Sequence, residues 1–213
     1  RITRPQSLRF RSGEFVMIGL PNAEKPVFRA YSVASPSWDD ELEFFSIKVA
    51  DGPLTSELQK IEIGDTVLMR QKSTGTLVVD ALTPAKRLFM ISTGTGVAPF
   101  ASLLRDPDTY EKFEHIVLTH TCRDTAELTY GQELVASLEA DPLIGELTSG
   151  RVTLYNSTTR EESERMGRIT SLIETGKFYS DLNIGPLNPE TDRIMICGSM
   201  HMLQDVKALA EKL

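Results

Sequence analysis

The pattern of the chain changes at Thr83-Pro84, and that change limits the folds open to it. Before it, the segments 14–20, 28–34, 42–49, 66–71 and 75–79 are short, rich in β-branched and aromatic residues, and separated by Pro, Gly, Asn and Asp turns. Regularly spaced short strands predict a small antiparallel barrel or sandwich, here interrupted by one helix over 54–60. After it, apolar runs at 88–91, 116–119, 152–155 and 194–196 alternate with helical patterns at 99–104, 131–139, 169–174 and 202–213. Strand-helix alternation with continuous apolar strands predicts a parallel sheet covered on both faces. A chain of 213 residues can hold two such domains, and the boundary falls near residue 85.

Charge is unevenly distributed. Residues 1–31 carry six basic residues against two acids, a net of +4, which leaves −11 for the remainder of a chain whose total is −7. A basic stripe on an acidic protein can steer an acidic macromolecule to one face, and it can equally be a solvated strand edge that discourages aggregation. The basic residues are not interleaved with aromatic ones, which argues against nucleic acid. No apolar run approaches the roughly 20 residues needed to cross a bilayer, and no segment has the order of a signal peptide. Cys122 and Cys197 are too few for a disulfide framework and fit a reducing compartment, so the expected location is the cytoplasm.

Four segments carry chemistry. Arg29-Ala30-Tyr31-Ser32 places a guanidinium, a ring and a hydroxyl within four residues; alone it reads as a barrel strand with an edge arginine. Asp51-Gly52-Pro53-Leu54-Thr55-Ser56 opens a helix, where free N–H groups and hydroxyls suit a phosphate, although the same residues make an ordinary cap. Ser92-Thr93-Gly94-Thr95-Gly96-Val97-Ala98-Pro99 is a glycine turn directly after an apolar strand. Pro99 stands where a dinucleotide fingerprint would have its third glycine, so a plain strand-to-helix turn fits as well as a nucleotide crevice. Cys197-Gly198-Ser199 closes the last apolar strand at that same expected crevice, whereas Cys122 reads as a small apolar packer.

Arg123, Arg160 and Arg168 follow strand ends, with Ser157, Thr158 and Thr159 close by. Each alone reads as a solvated charge; three at the ends of one sheet favour a phosphate, including the 2′-phosphate that separates NADP from NAD. His115, His120 and His201 have neither ligand spacing nor a neighbouring carboxylate that points to a metal.

With Cys122-Arg123, Thr159-Arg160-Glu161 and Gly167-Arg168-Ile169 added in order, the chain resembles the ferredoxin-NADP+ reductase family over practically its whole length, and within it the bacterial flavodoxin/ferredoxin-NADP+ reductases. The resemblance implies an FAD-binding antiparallel β-barrel over 1–85 and a Rossmann-like NADP(H) domain over 86–213. By it, Arg29 contacts the FAD pyrophosphate, Tyr31 packs on the isoalloxazine beside Ala30, and Ser32 lies near flavin N5. Ser46, Ile47, Lys48, Leu54, Thr55 and Ser56 hold the rest of FAD. Gly94, Thr95, Gly96, Cys197 and Gly198 border the nicotinamide, while Arg123, Arg160 and Arg168, helped by Thr159, bind the phosphates. Ser32 and Cys197 are then the positioning groups nearest the reacting atoms.

The implied activity is electron transfer between NADP(H) and ferredoxin or flavodoxin, with hydride passing between nicotinamide C4 and flavin N5, by a monomer whose basic N-terminal stretch meets an acidic carrier. An NADH-dependent relative of the cytochrome b5 reductase or oxygenase-reductase type is the nearest alternative, and the arginines argue against it. A non-catalytic flavin-binding regulatory subunit ranks behind both, because two cysteines cannot supply the four thiolates of an iron–sulfur cluster. Against the family pattern, the first barrel strand that normally precedes the Phe10-Arg11-Ser12-Gly13-Glu14 turn and the tail that covers the flavin beyond Leu213 are expected to be missing from this sequence. The expected outcome is loose retention of FAD, visible as substoichiometric flavin absorbance after gel filtration; full occupancy would contradict it.

Overall fold

A computed structural model describes residues 1–21, 25–48 and 52–212. In its first part β2 (Phe15–Gly19) lies between β3 (Arg29–Ser32) and β5 (Leu68–Met69), and β1 (Ile2–Thr3) pairs with β4 (Glu41–Leu42), all antiparallel. Val16 and Ile18, alternate residues of β2, are buried with Leu8, Phe10, Val33 and Leu42 in one apolar cluster to which both sheets contribute.

These strands are shorter than the sequence predicts. Of the segment 42–49, only Leu42 joins a ladder, because Phe45, Ser46 and Ile47 line a cavity instead of a neighbouring strand; Val49 lies outside the described residues. The segment 66–71 pairs over Leu68–Met69. The segment 75–79 forms no strand: an isolated bridge joins Phe15 to Thr74, and Val79 begins a 3-10 turn that carries it into the apolar core of the second part. The predicted helix is α1 (Thr55–Leu58), and Asp51 before it is outside the described residues.

In the second part four parallel strands lie in the order β8 (Val152–Thr158), β7 (Phe113–Cys122), β6 (Ala85–Thr93), β9 (Asp192–Cys197). Leu88 and Met90 of β6 pack with Phe100 and Leu103 of α2 (Val97–Leu104) and Leu134 of α4 (Thr129–Leu138). Phe89 and Ile91 face the other way, onto Ile173 of α6 (Ile169–Glu174), Phe178 of α7 (Lys177–Leu182) and Val206 of α8 (Met200–Ala210). Burial on both faces is why these strands are apolar without alternation.

Three helices escape the sequence pattern: α3 (Pro107–Lys112), α5 (Gly145–Thr148) and α7. At four to six residues they are too short to display a helical period. Among them α3 is marked by a side-chain cap, where Asp106 Oδ1 accepts the Asp108 N–H at 3.1 Å with Pro107 in the first turn. The helix predicted over 202–213 starts two residues early because Ser199 Oγ accepts the Met202 N–H at 3.3 Å, and its Leu213 is outside the described residues.

Polar contacts join the two parts. Glu43 accepts from Tyr130 Oη at 2.6 Å and pairs with Arg105 at 3.3 Å and Arg1 at 2.8 Å, while the Phe45 ring stacks on Tyr130 at 4.3 Å and 13°. Ser102 Oγ donates to the Ser35 carbonyl at 2.7 Å, and both groups are buried. Burial pushes the Glu43 pKa up, but the Tyr130 hydrogen bond and the Arg105 charge outweigh it and hold the carboxyl below its ordinary value.

A second ion pair locks the sheet. Arg87 and Asp192 face each other in register across β6 and β9, with Nε–Oδ1 at 2.7 Å and Nη2–Oδ2 at 2.5 Å. Burial of Asp192 opposes its ionisation, yet the bonds from Arg87 and from the Asn188 N–H leave its pKa below the ordinary value. The stabilisation is therefore complete above the unfolded carboxyl pKa of about 3.9 and is lost as pH falls through the lower folded value. Asp192→Ala leaves a half-buried guanidinium without its counter-ion, for an expected loss of about 3 kcal/mol at neutral pH in urea unfolding. Asp192→Asn should show a shallower loss of stability than the parent below about pH 4.

Candidate functional site

Between the two parts lies a cavity of about 1000 Å³. That is the top of the range of about 300–1000 Å³ typical of a site for one small ligand, which leaves room for two ring systems. The antiparallel wall is β3 with the segment after β4: Arg29, Ala30, Tyr31 and Ser32 face Phe45, Ser46 and Ile47. Gly52, Leu54 and Thr55 close one end. Tyr31 is half-buried and meets Phe44 edge-on at 82°, while Arg29 is exposed with Nη1 donating to the Phe28 carbonyl at 3.0 Å. Lys48 and Ser56 do not line the cavity, and the Ser56 hydroxyl instead donates to the Gly52 carbonyl at 2.6 Å, bracing the turn.

The parallel wall is made by the carboxyl ends of β6, β7, β8 and β9. Ser92 is in register with His120 and with Cys197, so the turn after β6, Cys122-Arg123 and Cys197-Gly198 emerge side by side. Gly94 has φ +53° and open space where a side chain would begin; its missing side chain is part of the cavity. Gly96 meets the opposite demand, since a Cβ there would overlap the Cys197 carbonyl, which lies against the turn. Thr93 Oγ1 accepts the Ser199 N–H at 2.9 Å and ties the two strand ends together. Burial raises the pKa of Cys197, so it borders the cavity as a neutral thiol.

Arg123, Arg168 and Thr159 line the same cavity. Arg160 does not, although its N–H bonds the Arg123 carbonyl at 3.0 Å and holds the two loops together. Among the described residues, the guanidiniums of Arg123, Arg160 and Arg168 have no hydrogen bond, ion pair or ring contact, whereas every other arginine has one. Cations left without a partner at a cavity rim fit an anionic ligand.

Sequence reasoning missed several lining residues. Phe45 lay within a recognised strand but had no chemical signature, Glu127 comes from a 3-10 turn outside the predicted helices, and His201 and Asp205 come from a helix whose facing the pattern did not specify. His120, fully buried behind the glycine turn, was missed because its partner is 26 residues away. Cys122 is buried as expected of a packer, and burial pushes its thiol up to about 12, but it also borders the cavity.

An aromatic, a guanidinium and a hydroxyl on an antiparallel wall, opposite a glycine turn and unpartnered arginines on a parallel one, define a two-domain oxidoreductase built for a flavin and a nicotinamide dinucleotide. Comparison with known proteins gives the same result in finer detail. Residues 2–78 match the oxidoreductase FAD-binding domain and residues 90–208 the oxidoreductase NAD-binding domain. The flavodoxin/ferredoxin–NADP reductase of Rhodobacter capsulatus is 59% identical over 212 residues, covering 99% of this chain and 78% of the relative. The ferredoxin–NADP reductase of Azotobacter vinelandii is 48% identical, covering 96% and 80%. A crystal structure of a ferredoxin NADP+ reductase from Neisseria gonorrhoeae with bound FAD and NADP superposes with a TM-score of 0.86 at 31% identity, covering 98% of this chain and 82% of that one. The chain belongs to the ferredoxin–NADP reductase family.

The two glycines of the turn should respond differently to alanine. Gly94→Ala meets only open space and carries the left-handed cost of about 1 kcal/mol. Gly96→Ala must displace backbone and should lose about 3 kcal/mol or more in the same urea experiment.

Proposed function

We infer that this enzyme moves electrons between NADP(H) and a one-electron carrier protein, ferredoxin or flavodoxin. Residues 1–85 act as the FAD-binding domain and 86–213 as the NADP(H)-binding domain. The observation that carries the reading is the joint cavity, where two arginines without partners, Arg123 and Arg168, line the side opposite the Tyr31 wall. FAD, when bound, would supply the redox chemistry, hydride exchange with the nicotinamide and one-electron transfer to the carrier.

The side chains bind, orient and exclude water. Tyr31 covers the flavin ring, Ser32 offers its hydroxyl near N5, and Arg29 holds the pyrophosphate, with Ser46, Ile47, Leu54 and Thr55 along the remainder. Gly94, Thr95, Gly96, Cys197 and Gly198 border the nicotinamide, and the neutral Cys197 thiol orients it without adding charge beside the transferred hydride. Arg123 and Arg168, with Thr159, take the dinucleotide phosphates, and Arg160 reaches the same ligand from outside the cavity rim. No step asks a side chain to act as a strong acid or base.

The basic N-terminal stretch is less available to an acidic carrier than its sequence implies. Arg1 pairs with Glu41 and Glu43, Arg11 with Glu14 and Asp80, and the Arg4 and Arg9 guanidiniums donate to backbone carbonyls. Among the described residues no helix is long and apolar enough to cross a membrane.

The test is diaphorase activity of the FAD-supplied chain with an artificial one-electron acceptor. The expected result is a strong preference for NADPH over NADH. Arg123→Ala and Arg168→Ala should each reduce kcat/KM for NADPH about tenfold or more and affect NADH far less, with a smaller effect from Arg160→Ala. Equal losses with both dinucleotides would refute the NADP assignment.

A further inference from the structure

His120 takes no part in the reading above, yet it is fully buried directly behind the glycine turn. Its Nε2 lies 2.9 Å from the Gly94 carbonyl oxygen. A carbonyl only accepts, so Nε2 carries the proton and Nδ1 holds a lone pair. Nδ1 has no partner among the described residues and faces the backbone of α4, where a Cβ on Gly131 would stand 2.8 Å from it. Glycine at 131 is thus the space the ring occupies. The Cys122 sulfur, 3.2 Å from Nε2, borders the ring on its cavity side. Burial lowers the His120 pKa, in keeping with a neutral ring.

The consequence lies on the other side of the peptide. In a planar trans peptide, C=O and the following N–H point in opposite directions. With the Gly94 carbonyl held inward by His120, the Thr95 N–H points outward, towards the cavity that Thr95 lines. It stands at the start of the helical run from Gly94 to Leu104, where amides favour an anion.

Resting on the assignment of this cavity to NADP(H), we propose that His120 is a positioning residue: its buried Nε2–H fixes the Gly94 peptide and so aims the turn's amides at the phosphate-linked nicotinamide half of the dinucleotide. The adenosine 2′-phosphate end, which falls to the arginines, does not depend on it.

The test uses the FAD-loaded chain and compares His120→Gln, His120→Asn, His120→Ala and Gly131→Ala. Glutamine can place an N–H where Nε2 stands; asparagine reaches only to the Nδ1 position. Titration calorimetry with NADP+ and with 2′-phospho-AMP separates the two ends of the ligand. Loss of one buried hydrogen bond predicts about tenfold weaker NADP+ binding and a similar rise in KM for NADPH for the alanine and asparagine variants. Near-parental behaviour is expected for His120→Gln, with 2′-phospho-AMP binding unchanged throughout. Gly131→Ala, which displaces the ring without touching it chemically, should resemble His120→Ala. The proposal is overturned if His120→Ala binds NADP+ like the parent, if asparagine rescues as well as glutamine, or if 2′-phospho-AMP binding falls in step with NADP+. A parent chain that binds neither ligand refutes the NADP(H) assignment itself, and the role of His120 with it.

Discussion

The register of β6 between β7 and β9 is the constraint on which the site depends. Because Ser92 is level with both His120 and Cys197, three chain segments far apart in sequence end at one edge of the sheet. The fit there is close enough that Gly96 packs its Cα against the Cys197 carbonyl and Thr93 bonds across to Ser199. A shift of one residue in either pairing would move every side chain of that strand to the opposite layer and separate the turn from its supports.

The antiparallel part meets this edge through polar contacts as well as apolar ones. Glu43 gathers Arg1, Arg105 and the Tyr130 hydroxyl, and its carboxyl stays ionised despite burial because those donors surround it. Partners on both sides of the junction make this an orientation-fixing contact, since a hydrogen-bonded carboxylate tolerates less sliding than two apolar surfaces would.

Much of this was legible in the sequence, for identifiable reasons. The parallel strands declared themselves because burial on both faces demands unbroken apolar runs such as Leu88-Phe89-Met90-Ile91. The motif residues Arg29, Tyr31, Gly94, Arg123 and Cys197 do come together at one cavity. What could not be read depends on three-dimensional facing. The stretch Phe45–Ile47 has strand composition but turns to the cavity, the short helices have no period to detect, and four arginines near the N-terminus look like a free basic patch until their internal partners are seen. His120 belongs to the same class, its meaning fixed by a carbonyl in the turn that follows another strand.

The stacking of Phe45 on Tyr130 binds the history of the two domains together. Phe45 lines the cavity from the flavin side, but the ring that supports it grows from a helix of the dinucleotide side, and the same tyrosine is anchored through Glu43 to the segment that carries Phe45. A dinucleotide domain without a ring at position 130 would leave that wall of the flavin site unbacked. The unit that can be transplanted between such enzymes is therefore the Glu43, Phe45 and Tyr130 set together with both domains, not either domain alone.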